Sequence, residues 1–284
     1  MTDTALSGFA DGRWAARQEA VMMHAEALAL SRAPNARHRR LLGAVLSRLS
    51  DSAGRFEQPI HLHLYPLIYA GLWGDESPAY PLAAAAVVAG LGQVLLYDQD
   101  TGPHPAPWGV LPREEAREVG TFLLYSLPRM AVAALEAPPN TRVTMWEVLA
   151  ACLVRVTRGR DGMPTPSPLE GAIVMTAELP ATFAALSAQL AGAAPPIVQA
   201  CRRLGHALAV AAEFGPTRER GRGTTSMPAP LPDHQARARA SPSAVSQAAI
   251  YGEWAVGALV DAGLLEPGRG QIRAMIENLT AAEE

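Results

Sequence analysis

The chain has 284 residues, a formal net charge of −3 and two cysteines. This charge disfavours nucleic acid and anionic membrane surfaces as partners, because both call for a concentrated basic patch. Cys152 and Cys201 lie in apolar helical stretches, so we expect reduced, buried thiols, with a disulfide as the alternative. The N-terminus has no basic segment followed by an apolar one, as a signal peptide would, and we expect a cytoplasmic protein.

Apolar residues recur at helical spacing, and the alternation typical of strands is hard to find. The sequence therefore predicts one all-α domain over residues 1–284. The predicted helices cover, in chain order, 12–31, 35–52, an apolar segment ending at 74, the run 79–97, a helix opening at Pro112, 144–158, 167–191, 195–214, 243–264 and 269–280. The polar stretch at about 215–242, rich in Gly, Pro and Arg, is predicted to be a mobile lid or disordered.

The central run, residues 79–97, contains no charged side chain, and Asp98 and Asp100 follow it directly. Its length is close to the ~20 apolar residues that a membrane span needs. It is rich in Ala and Gly and contains Gln93, and small residues let neighbouring helices approach closely. A buried helix at the centre of a bundle is therefore favoured over a transmembrane span.

The order and spacing of these segments resemble the trans-polyprenyl diphosphate synthase family between about residues 60 and 278. Residues 66–100 are similar to the family's segment that ends in the first aspartate-rich motif, and 108–135 to the next helix. Residues 169–214 are similar to the two helices that precede the second aspartate-rich motif. The resemblance implies an isoprenoid synthase-like bundle around a central apolar cavity, with a prenyl diphosphate or another apolar chain as ligand. It also implies Mg²⁺ as cofactor, and a homodimer or a heterodimer with an active synthase.

The acidic motifs are reduced relative to the family. The first, Asp-Asp-x-x-Asp, reads Asp98-Gln99-Asp100 here, with Gly102 in its last position. Helix positions four apart share a face, whereas positions two apart point to nearly opposite sides. The second motif is missing, and Glu213 is the nearest acid. The resemblance implies catalytic roles for Asp98 and Asp100, and a Mg²⁺ site formed by Asp98, Asp100 and Glu213.

The basic residues that bind diphosphate in the family are replaced as well. The family segment Gly-Gly-Lys-Arg-x-Arg-Pro reads Ile-His-Leu-His-Leu-Tyr-Pro here, with Leu62, His63 and Tyr65 at the basic positions. Glu178 stands where a helical lysine of the family contacts the diphosphate. Arg222 is a weak match to the Gly-Lys segment that the family has late in the chain. Each lost electrostatic contact costs ~10²-fold or more in rate. We therefore predict no chain elongation with isopentenyl diphosphate.

In the family, residues before the first acidic motif and on the following helix limit the length of the bound chain. The same positions predict a substrate-binding cavity in this protein, with a floor of small side chains and two aromatic ones. The predicted lining residues are Ala85, Val88, Ala89, Gly92, Phe122 and Tyr125.

Two functions stay open at this point. A divergent class I isoprenoid or terpene synthase, acting on one prenyl diphosphate by cyclisation or ionisation, is favoured by Asp98 and by the arginines around Arg222. A catalytically inactive homologue, serving as partner subunit or apolar-ligand binder, is favoured by the missing second acidic motif. His61 and His63 are predicted to form a hydrogen-bonded pair near the core, because no cysteine or further histidine lies at ligand spacing nearby. The alternative is a metal site, which requires their segment to be extended.

Overall fold

The structure, a computed structural model, describes the backbone of residues 12–51, 60–100, 111–160, 168–214 and 242–280. Every regular element in these ranges is helical, which confirms the predicted all-α bundle. In chain order the elements are α1 (Gly12–Ser31), α2 (Ala36–Asp51), a π-helical segment (Ile60–Leu64), α3 (Tyr65–Trp73), a 3₁₀ turn (Ser77–Ala79), α4 (Tyr80–Asp100), α5 (Arg113–Thr121), a second π-helical segment (Phe122–Ser126), α6 (Leu127–Ala133), α7 (Pro139–Arg160), α8 (Pro168–Leu190), α9 (Pro195–Phe214), α10 (Pro242–Asp261) and α11 (Gly268–Thr280).

Helix α4, the predicted central run, forms the centre of the bundle. It packs against α1, α5, α6 and α8, and its residues 82–89 are all buried. Most of them are Ala or Val, whose small side chains allow close helix packing. The segment Ser77–Leu96 is long and apolar enough to cross a membrane, but 72% of its most apolar window is buried inside the bundle, as in a core helix.

Helices α7 to α10 pack one against the next, and α8 also contacts α3 and α4. Helices α8 and α9 come close together at Gly205. A Cβ there would lie 2.5 Å from the carbonyl oxygen of Pro180 and 2.7 Å from the Cβ of Ala184. Pro180 lies inside α8, where its ring removes one backbone donor. The glycine therefore permits a helix crossing that a larger residue would push apart.

A buried arginine connects the two ends of the described chain. Arg17 on α1 is 2% exposed, and its Nε donates to Glu76 Oε2 at 2.9 Å. Its Nη2 donates to Gln271 Oε1 on α11 at 3.0 Å. The guanidinium carbon also lies 5.5 Å from the ring centre of Trp14, a cation–π arrangement. Helices α1 and α11 are thus both fixed to the turn that precedes α4.

Several local predictions can be compared with the structure. Cys152 and Cys201 are free and buried, as expected. Residues 60–64 are helical, so the extended segment on which a metal site at His61 and His63 depended is not formed. Helix α7 begins at Pro139, earlier than predicted, since proline at a first helical position needs no hydrogen-bond partner for its nitrogen. The predicted lid or disordered stretch lies outside the described residues, apart from the first residue of α10.

Candidate functional site

The first acidic motif lies at the C-terminal end of α4. The helix continues through Asp100, so positions 98 and 100 are separated by about 200° around its axis. They cannot both face one metal ion from a single side of this helix. The side chains at 97–100 lie outside the described part of the structure. Glu213 is in the last turn of α9 and is 5% exposed.

The segment that is basic in the family forms a neutral, packed wall here. His63 is 5% exposed, and its ring lies 4.2 Å from that of Trp14 in an edge-on arrangement. Burial, with a smaller effect of Arg17, lowers the pKa of His63 to about 3, so the ring is neutral near pH 7. Leu62 is 3% exposed and Tyr65 is fully buried. Nothing at these three positions offers a positive charge to a diphosphate.

The predicted floor of the cavity is closely packed. Ala85, Val88 and Ala89 have no accessible surface, which leaves no space beside them for a molecule as large as water. These three side chains are packed against their neighbours in this structure, and their role in lining a cavity stays a prediction. An apolar chain could reach them only if neighbouring side chains moved apart.

Gly92, Phe122 and Tyr125 have packing roles. A Cβ on Gly92 would lie 2.5 Å from the backbone nitrogen of Leu124 and 2.8 Å from the carbonyl oxygen of Gly120, so this glycine permits the crossing of α4 with α5. The ring of Phe122 lies 6.0 Å from that of His38 on α2. The hydroxyl of Tyr125 shares a 2.8 Å hydrogen bond with Thr157 Oγ1 on α7. Gly92 therefore has a role in helix packing, and its predicted contact with a substrate is not tested by this observation.

Glu178 is the centre of a charged cluster formed by three helices. Its Oε1 accepts from Arg155 Nε on α7 at 2.6 Å and from Arg202 Nη2 on α9 at 2.9 Å. The side chain of Glu178 is 12% exposed, whereas those of Arg155 and Arg202 are 42% and 29% exposed. The cluster carries one excess positive charge. From sequence alone, position 178 showed only that a glutamate replaces the lysine of the family.

Sequence reasoning identified Glu178 but missed both arginines. Arg155 and Arg202 each interrupt a largely apolar helical stretch, which is the signal that could have pointed to them. Their partner was not predictable, because it depends on how α7, α8 and α9 pack together. Arg222, the other predicted cation, lies outside the described residues.

Comparison with known proteins supports the architecture. No family model and no curated protein matches the chain. The structure matches a geranylgeranyl pyrophosphate synthetase from the archaeon Geoglobus acetivorans, with 16% identity and a TM-score of 0.70, over 99% of this chain and 100% of that one. It also matches a decaprenyl diphosphate synthase from Rhodobacter capsulatus, with 16% identity and a TM-score of 0.68, over 95% and 98% of the two chains.

A third match is a polyprenyl synthase from Caulobacter crescentus CB15, solved in complex with calcium and isoprenyl diphosphate. It has 19% identity and a TM-score of 0.65, over 95% of this chain and 98% of that one. The fold is that of the polyprenyl diphosphate synthases. At these identities the matches establish the fold alone. The function of this chain has to be argued from its site residues.

The Mg²⁺ site implied by the resemblance stays a prediction, because the side chains of Asp98 and Asp100 lie outside the described part of the structure. Glu213 is in a buried position on α9. Within the described side chains, no three His, Cys, Asp or Glu residues lie together as a metal site requires.

Proposed function

We propose that this protein is a catalytically inactive homologue with the synthase fold that acts as a partner subunit and does not elongate prenyl chains. The observation that carries the proposal is the neutral wall formed by Leu62, His63 and Tyr65. Elongation requires a second diphosphate to be held while the first one leaves, and charge neutralisation makes up much of that catalysis. A wall without a cation cannot hold the second diphosphate.

Two further observations support a non-catalytic role. Positions 98 and 100 are about 200° apart around the axis of α4, and this spacing disfavours a metal ion shared by both residues. Ala85, Val88 and Ala89 are enclosed, so the space beside these three side chains is filled by the protein itself. A subunit that binds its partner without catalysing a reaction needs neither a metal ion nor a substrate cavity. Binding of an apolar chain beside these residues would require the neighbouring side chains to move apart.

The second candidate is an enzyme that acts on a single prenyl diphosphate by ionisation or cyclisation. It is favoured by Asp98 at the end of α4 and by the buried Glu213 at the end of α9, the two acids at the ends of helices that carry aspartates in the family. Such an enzyme has no need of the missing isopentenyl diphosphate site. Its Mg²⁺ ligands would be Asp98, Asp100 and Glu213.

One assay separates the two candidates. The protein is incubated with Mg²⁺ and C10, C15 or C20 prenyl diphosphate, with and without isopentenyl diphosphate, and released pyrophosphate, hydrocarbons and longer chains are measured. We expect none of these products. Pyrophosphate or hydrocarbon release that is lost in Asp98→Ala would establish the single-substrate enzyme. Longer chains would overturn both candidates.

A further inference from the structure

The cluster of Arg155, Glu178 and Arg202 has no role in either candidate function above. Both arginines reach the same carboxylate oxygen, Glu178 Oε1, so their guanidinium groups lie close together. Arg155 uses Nε and Nη2 for this contact, and Arg202 uses Nη2. Each guanidinium carries five N–H donors, so one carboxylate oxygen leaves further donors on both.

The side chains that carry those remaining donors are partly exposed. The arginine side chains are 42% and 29% exposed, whereas Glu178 between them is 12% exposed. The neighbouring ring of His206 adds no charge, because burial lowers its pKa below the ordinary value and keeps it neutral near pH 7. The carboxylate of Glu178 therefore fixes two partly exposed arginine side chains, and the net charge of the cluster is +1.

We propose that Arg155 and Arg202 form a metal-independent site for a phosphate or carboxylate oxyanion, held in shape by Glu178. Two guanidinium groups that meet at one carboxylate oxygen keep further N–H donors near each other, and arginine recognises oxyanions through such donors. The excess charge of one suits a singly or doubly charged group. A diphosphate, which normally needs metal ions for neutralisation, is matched less well.

The site does not depend on the partner-subunit proposal, since it requires no catalysis and no open cavity. Its ligand could be a free anion or the head group of an apolar chain. Both share the same oxyanion chemistry, and comparison of inorganic phosphate with a C15 monophosphate distinguishes them. Tighter binding of the C15 monophosphate assigns the site to a head group, and equal binding assigns it to a free anion.

The test is the shift in melting temperature, with calorimetric titration, as inorganic phosphate is added in EDTA at constant ionic strength. We expect phosphate to raise the melting temperature of the wild type, and Arg202→Gln and Arg155→Gln to bind it at least tenfold more weakly. Arg203→Gln is the matched control, because Arg203 is the next residue on α9 and its side chain is 60% exposed beside Asp261. This variant should bind phosphate like the wild type.

Arg202→Lys tests whether weaker binding results from unfolding. This variant keeps the positive charge at position 202 but removes the paired donors of the guanidinium group. It should fold normally and bind phosphate with an affinity between those of the wild type and Arg202→Gln. Two results would overturn the proposal. One is a wild type that shows no response to phosphate in EDTA, and the other is an equal response in Arg202→Gln and Arg203→Gln.

Discussion

At the scale of single residues, His63 shows how burial changes what a side chain can do. A histidine in water can carry a positive charge near pH 6, and a positive charge at this position could attract a phosphate. The ring is instead enclosed beside Trp14, with Arg17 nearby, and the pKa falls to about 3. The same burial that strengthens packing therefore removes the cation.

We expect His63 to make the free energy of unfolding depend on pH. Its pKa is 6.5 when unfolded and about 3 when folded, so between these values the unfolded state binds more protons. Stability should accordingly fall as the pH drops from 6.5 toward 3, by up to about 1.4 kcal/mol per pH unit from this group. Urea unfolding at pH 7, 6 and 5 measures this, and His63→Leu should remove that part of the pH dependence.

His24→Gln is the matched control for this experiment, because His24 is exposed on α1. It should keep the pH dependence of the wild type. A His63→Leu protein that loses as much stability between pH 7 and pH 5 as the wild type would show that the buried ring is not the source.

At the scale of secondary-structure elements, glycines decide how closely the central helix packs. Replacing Gly92 with Ala should lower the free energy of unfolding by about 1–3 kcal/mol, the usual cost of overpacking a closed interior. The new Cβ would lie 2.5 Å from the backbone nitrogen of Leu124, which cannot move without shifting the second π-helical segment. Thermal or urea unfolding measures the change.

Gly43→Ala provides the comparison, because a Cβ on Gly43 in α2 would meet nothing within 4 Å. Replacement of a helical glycine without a clash should raise stability by about 0.4–1 kcal/mol. The two substitutions are chemically identical and should have opposite signs. Equal effects would mean that the crossing of α4 with α5 can relax.

The elements themselves were largely predictable from sequence. The charge-free run at 79–97 predicted α4, and Pro112 predicted the start of α5. Both signals are local in the sequence, one being an apolar run and the other a residue typical of helix starts. The packing role of Gly92 and the pairing of Arg155 with Glu178 were not predictable, since each depends on a neighbour distant in the chain. The floor residues were predicted to line a cavity because small residues suit either a cavity or tight packing, and sequence alone does not distinguish these.

At the scale of the whole molecule, the outer face of α6 and α7 remains apolar. Val143, Trp146 and Val154 on α7 are 57%, 43% and 49% exposed, and Met130 on α6 is 43% exposed. Trp146 and Val143 also border a groove of about 370 Å³ with Ala133 and Pro139. Large exposed apolar side chains in one region are typical of a surface that binds another protein.

We expect this α6–α7 face to form the subunit contact in the proposed dimer. Trp146→Glu should shift the protein to a monomer at micromolar concentration, because a charge would be buried without a partner. Sedimentation velocity measures the change. Trp73→Glu is the control, since Trp73 is 70% exposed at the end of α3 and is not part of α6 or α7. If the wild type already sediments as a monomer, the homodimer is wrong.

The buried contact of Arg17 with Gln271 has a consequence for how the chain is made. The two residues are 254 positions apart, and the guanidinium is 2% exposed. During synthesis α1 is made long before α11, so its arginine can pair with Glu76 but not yet with Gln271. Burial of an incompletely paired charge is unfavourable, and we therefore expect the docking of α1 to be completed only after α11 has been synthesised. Folding of this bundle is not expected to progress steadily from one end.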